Sequence, residues 1–145
     1  MLNRKRTGFA FTLVELLIVI VIIAVLAAIA LPKFMDSGQR SKEASLKGDL
    51  KLIRNAVELF HTDTGAYPAA LGDLSSTSAP SSGKDSGGNS YSITSTDWHG
   101  PYIRVVPTDP ISGSAFTYST TSGSVGNVTS SATGNGLDGT AYNTW

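Results

Sequence analysis

From Phe9 to Leu31 the chain runs for 23 residues with one charged side chain, Glu15, and the basic cluster Arg4, Lys5 and Arg6 stands just before it. At about 1.5 Å of rise per residue, a helix of that length spans the ~30 Å hydrocarbon core of a bilayer. The basic cluster keeps the N-terminal end cytoplasmic and sends the remainder outward, so the segment predicts a single-pass protein of the cytoplasmic membrane. A carboxylate inside such a helix costs about 2.5–3.5 kcal/mol and asks for a basic partner at the same depth. Two alternatives stand beside this reading. One is an ordinary signal peptide cut at Ala28-Ile29-Ala30, which would release a soluble secreted binding protein near Ala30. The other is a plain signal anchor in which Glu15 reaches interfacial water.

A chain of 145 residues leaves room for one modest domain besides this segment, with a thin core. Removing the first ten residues leaves eight basic against eleven acidic side chains, a net charge of −3. Nothing there resembles the clustered lysine and arginine of a nucleic-acid footprint. There is no cysteine, hence no disulfide to close the C-terminal region. His61 and His99, the two histidines, stand in no triad, ligand cluster or phosphate loop, so the chain reads as no enzyme.

After Pro32 the pattern turns amphipathic. Leu46, Leu50, Ile53, Val57 and Phe60 recur at spacings of four, three, four and three, with Leu52, Ala56 and Leu59 widening the stripe. Lys47, Lys51, Arg54, Asn55 and Glu58 occupy the opposite face. This predicts a core-facing helix ending near His61, with a kink at Pro32 where proline removes a hydrogen bond. Thr62 to Pro68 stops the helix, and Ala69 to Leu74 suits a short helical turn. Ser75 to Ser90 reads as a flexible loop. Strands are expected at Tyr91 to Thr94, Tyr102 to Val105 and Phe116 to Ser119, forming one small antiparallel sheet on the stripe. The fold class is therefore α+β: a long kinked N-terminal helix packed on a small sheet. Residues 11–33 are read as the membrane-spanning helix, 34–61 as the amphipathic helix and 62–145 as the β head, with the basic stretch in 1–10 ahead of them.

Phe11-Thr12-Leu13-Val14-Glu15, an aliphatic run and Pro32 together resemble the N-terminus of the type IV pilin-like family, which includes pilins and the pseudopilins of type II secretion. In that family a prepilin peptidase cuts a basic leader before a Phe, which is then N-methylated, and a Glu falls fifth and a Pro twenty-second in the mature chain. Cutting between Ala10 and Phe11 reproduces both landmarks. The family prefers Gly before the cut, and Gly8-Phe9 supplies that pair at the expense of making Glu15 seventh. The resemblance implies methylation at Phe11 and assembly through the Phe11 amine and the Glu15 carboxylate of a neighbour. It also implies a homopolymer, an assembly ATPase with inner-membrane platform proteins, and a periplasmic or cell-surface filament.

Further along, Asp63-Thr64-Gly65-Ala66-Tyr67-Pro68, Gly100-Pro101-Tyr102-Ile103 and Pro107-Thr108-Asp109-Pro110 are similar to landmarks of the G-like major pseudopilins. Ile111-Ser112-Gly113 stands where that class has Trp-Gly. G-like members often hold calcium in the C-terminal loop, and Asn135 to Gly139 is similar to their turn, making Asn135 and Asp138 calcium candidates. Asp138 is the only acid after Asp109, so no cofactor is required by this reading. Without a metal, Tyr142 and Trp145 would hold the tail by packing. Asn127-Val128-Thr129 matches a glycosylation sequon.

Overall fold

A computed structural model of the chain describes residues 11–145, with the side chains of residues 32 and 34–36 outside the described set. The expected leader, 1–10, lies outside the described residues. The chain divides into two compact units, residues up to Gly38 and Gln39–Trp145. One helix, α1 (Leu13–Thr64), contributes to both.

In the first unit, residues Leu13–Leu31 are long and apolar enough to cross a membrane, and none of that stretch is buried within the monomer. The backbone keeps its helical assignment through Pro32, so the membrane-spanning and amphipathic parts form one long helix, as expected. The kink expected at Pro32 falls where the side chains lie outside the described residues.

In the second unit, the predicted stripe is the core. Leu46, Leu50, Ile53, Val57 and Phe60 are all buried, against Leu74, Ile103, Phe116, Val128, Ala132 and Tyr142. The expected widening fails in part. Ala56 is buried, but Leu52 and Leu59 remain about half exposed, because the head covers a narrow band of α1. The helix also runs three residues past His61, and Gly65 then ends it. Gly65 takes a left-handed φ of 71° and donates its N–H to His61 O at 2.9 Å, the αL stop that glycine allows without a Cβ penalty.

The expected short helical turn forms as a 3-10 turn over Leu71–Ser75. The sheet differs from expectation. Instead of three strands in one sheet, the described residues form two separate antiparallel pairs, β1 (Ser82–Lys84) with β2 (Ser90–Ser92), and β3 (Thr117–Tyr118) with β4 (Val128–Thr129). Strand β1 lies inside the stretch read as a loop. It forms there because Gly83 has no side chain, so Lys84 comes close enough to exchange hydrogen bonds with Tyr67, at 2.7 and 2.8 Å. An added Cβ at Gly83 would overlap the Tyr67 carbonyl oxygen.

Tyr102 to Val105 makes no strand. Tyr102 and Ile103 both donate their N–H groups to Leu74 O, at 2.9 and 3.2 Å, so no donors remain there for a ladder. Ile103 is buried while Arg104 and Val105 both face solvent, so the period-two alternation that a half-buried strand needs is broken. A final 3-10 turn, Tyr142–Thr144, follows the Ser/Thr/Gly-rich stretch.

Candidate functional site

The start of α1 is organised by Thr12 and Glu15. The Glu15 carboxylate accepts from the Thr12 N–H at 2.9 Å and the Thr12 hydroxyl at 2.8 Å, while the Glu15 N–H donates to that hydroxyl at 3.2 Å. This is a reciprocal capping box, and the Thr-x-x-Glu spacing that signals it went unread in the sequence. It satisfies donors that a helix start otherwise leaves unpaired. Phe11 is 74 % exposed, and Ala10 lies outside the described residues. From Leu13 to Leu31 the apolar side chains form an exposed sheath with Glu15 near its front. Such a surface is stable only in lipid or against other apolar helices.

The head is held together by carboxylates that periodicity alone did not single out. Glu43 sits on the core stripe, one helical step before Leu46. Its Oε1 accepts from the Leu137 N–H at 2.9 Å, the Tyr142 hydroxyl at 2.9 Å and Gln39 Nε2 at 3.1 Å. Burial pushes the Glu43 carboxyl up, but the donors from Leu137, Tyr142 and Gln39 outweigh it and hold the group below its ordinary value. The signal was present: an acid in register with an apolar stripe needs buried donors.

Asp109, fully buried in the Pro-Thr-Asp-Pro turn, is a second centre. It accepts from the N–H groups of Ile111 (2.8 Å), Ser112 (3.2 Å) and Ser131 (3.0 Å), and from the Ser130 hydroxyl. Arg54, from the polar face of α1, donates to Val128 O through Nε at 3.0 Å and Nη2 at 2.6 Å. Near the end of α1, Asp63 accepts from the Tyr102 hydroxyl at 2.9 Å, and His99 stands 3.6 Å from the same carboxylate with its side chain largely exposed.

The calcium candidates Asn135 and Asp138 share one turn and both are exposed. Asp138 Oδ1 accepts from the Thr140 N–H at 2.9 Å and the Thr140 hydroxyl at 2.6 Å, and Oδ2 lies 3.8 Å from Lys47 Nζ. Those Thr140 bonds, set against a small burial cost, hold the Asp138 carboxyl below its ordinary value. The packing role expected for the tail aromatics is present and is also polar: buried Tyr142 meets Trp145 edge-on at 5.1 Å and reaches Glu43.

Residues 4–31 match the prokaryotic N-terminal methylation motif, and residues 33–143 match type II secretion system protein G. The chain belongs to the type II secretion protein G family. It is 31 % identical over 111 residues to the type II secretion system core protein G of Pseudomonas aeruginosa, covering 76 % of this chain and 71 % of that protein. The corresponding protein of Klebsiella pneumoniae is 32 % identical over 110 residues, covering 75 % and 71 %. The type IV major pilin PilA of Myxococcus xanthus is 42 % identical over 65 residues, 45 % of this chain and 29 % of that protein. No solved structure matches. The family is one of structural subunits, and the methylation motif with the apolar helix fits a membrane-anchored precursor that later enters a filament.

Proposed function

We propose that this pseudopilin-like chain is the repeating subunit of a type II secretion pseudopilus, made as a membrane precursor, cut before Phe11, N-methylated there and polymerised through its N-terminal helix. The observation that carries the reading is the wholly exposed apolar sheath of α1 with Glu15 at its front. Lipid solvates that sheath before assembly, and sibling helices replace lipid afterwards. The pseudopilus is favoured over a pilus because the protein G match spans the head, whereas the alignment with the Myxococcus pilin covers less than half of the chain.

In this reading the leader faces the cytoplasm, a prepilin peptidase removes it, and an assembly ATPase with inner-membrane platform proteins lifts the subunit outward. The new Phe11 amine of an incoming subunit then meets Glu15 of its neighbour. Each ion alone in apolar surroundings is expensive, and together they offset one another, so the pair sets axial register more than it adds stability. Glu15 must exchange its Thr12 contacts for that amine, which keeps it satisfied both before and after assembly.

Two measurements test this. Intact mass of the mature protein should give a chain beginning at methylated Phe11; a start at Leu31 refutes the filament reading, and a start at Phe9 moves the pairing geometry. Glu15→Val should insert and lose its leader normally yet yield few filaments by electron microscopy, and wild-type yield would refute the pairing.

A further inference from the structure

We propose that the C-terminal loop of this chain is closed onto α1 by the Lys47 ammonium and the Glu43 carboxylate, without the calcium ion that resemblance to the G-like class implies. Calcium takes about six to eight oxygens, several of them carboxylate. The loop offers a single carboxylate, Asp138, and its Oδ1 is already turned onto the Thr140 N–H and hydroxyl. Three of the backbone carbonyls nearby are likewise directed at protein donors. Gly134 O accepts from the Tyr142 N–H at 3.1 Å, Gly136 O from the Gly139 N–H at 2.9 Å, and Thr140 O from the Gly136 N–H at 2.8 Å. Glu43, the other acid facing this loop, spends Oε1 on three donors. Asn135 stands opposite Ala141 in a bridge made by its neighbours' hydrogen bonds, so it adds one exposed side chain and its own carbonyl, well short of a calcium shell.

The second carboxylate oxygen of Asp138, Oδ2, faces a cation that the chain itself supplies. Lys47 Nζ stands 3.8 Å away and at the same time lies 4.0 Å from the centre of the Trp145 ring. A dication placed at Asp138 would have to displace the turn's donors and settle beside an ammonium ion that repels it. Lys47 thus joins α1, the Gly136–Gly139 turn and the terminal Trp145. Glu43, one helical turn earlier, takes the Leu137 N–H and the Tyr142 hydroxyl. Two residues at i and i+4 on one helix face therefore hold the loop at both ends.

The test is thermal unfolding of the full chain in detergent micelles, in excess EGTA and in millimolar calcium chloride. The two midpoints should agree within about 1 °C, whereas an ion held at 100 times its dissociation constant would raise the midpoint by roughly 10–20 °C. Lys47→Gln should lower the midpoint by roughly 4 °C, from the lost ion pair and cation–π contact, with Lys51→Gln as a control that leaves it in place. A saturable rise with calcium in the wild-type chain overturns the proposal. So does a Lys47→Gln variant that melts with the Lys51→Gln control.

Discussion

Replacing Asp109 by alanine should cost the head about 3–4 kcal/mol, and the figure follows from what its carboxylate holds. Four donors converge on it, from Ile111, Ser112, Ser130 and Ser131, and each hydrogen bond to a charged acceptor is worth about 1.5–3 kcal/mol. The simple sum overshoots, because water can reach the partly buried N–H groups once the acid is gone. Only the Ser130 O–H donor, on a residue that is 1 % exposed, would lose its acceptor in the interior, while the hydroxyl oxygen still accepts from the Ala132 N–H at 3.0 Å. For a unit of this size the loss corresponds to a fall of roughly 15 °C in melting midpoint. Asp109→Asn separates charge from shape. Burial raises the Asp109 carboxyl, but the Ser130 hydroxyl and the three N–H groups outweigh burial and hold it below its ordinary value. The unfolded chain, with a pKa of about 3.9, therefore binds the proton first on acidification. Stability from this group is complete above about pH 4 and is lost as pH falls through the folded value. Circular-dichroism melts at pH 7 and pH 3 should show the gap between wild type and Asp109→Asn narrowing in acid. An Asp109→Ala midpoint within about 3 °C of wild type would refute the anchoring argument, and an equal gap at both pH values would refute the electrostatic part of it.

Phe60→Ala should destabilise the head by about 3–5 kcal/mol, since the ring is fully buried in the core and meets Tyr102 edge-on at 5.4 Å. Urea unfolding should show a lowered midpoint with an unchanged slope. Gly83→Ala should cost about 1–3 kcal/mol, because the new methyl overlaps the Tyr67 carbonyl and lies 3.0 Å from Ala66 Cβ and 3.2 Å from Ile93 Cδ1. Hydrogen exchange should accelerate at the Tyr67 and Lys84 amides, and unchanged protection there would count against the close-approach account of β1.

What the sequence made legible was whatever depends on neighbours in the chain. The stripe from Leu46 to Phe60 needs only helical periodicity to be recognised, and the stop at Gly65 only a glycine after the last apolar turn. The buried acids were harder for one physical reason: their donors come from far along the chain. Glu43 meets Leu137 and Tyr142, 94 and 99 residues away, and Asp109 meets Ser130 and Ser131 across 21 and 22. Composition offered no apolar pattern for β1, whose Ser-Gly-Lys sequence pairs because a glycine permits close approach to Tyr67. The Tyr102–Val105 segment shows the reverse, being rich in strand formers while its first two donors are committed to Leu74. These long-range polar contacts have a structural purpose in a head without cysteine. The region after β3 is mostly serine, threonine and glycine, so it buries little apolar surface to offset the entropy of ordering it. Lys47 lies one turn after Glu43 on α1 and Arg54 two turns after Lys47, and each receives a different part of that region: Asp138 with Trp145 at Lys47, Leu137 and Tyr142 at Glu43, and Val128 at Arg54. The polar edge of the helix is therefore what the tail folds against, and its charges belong to the fold as well as to the solvated surface.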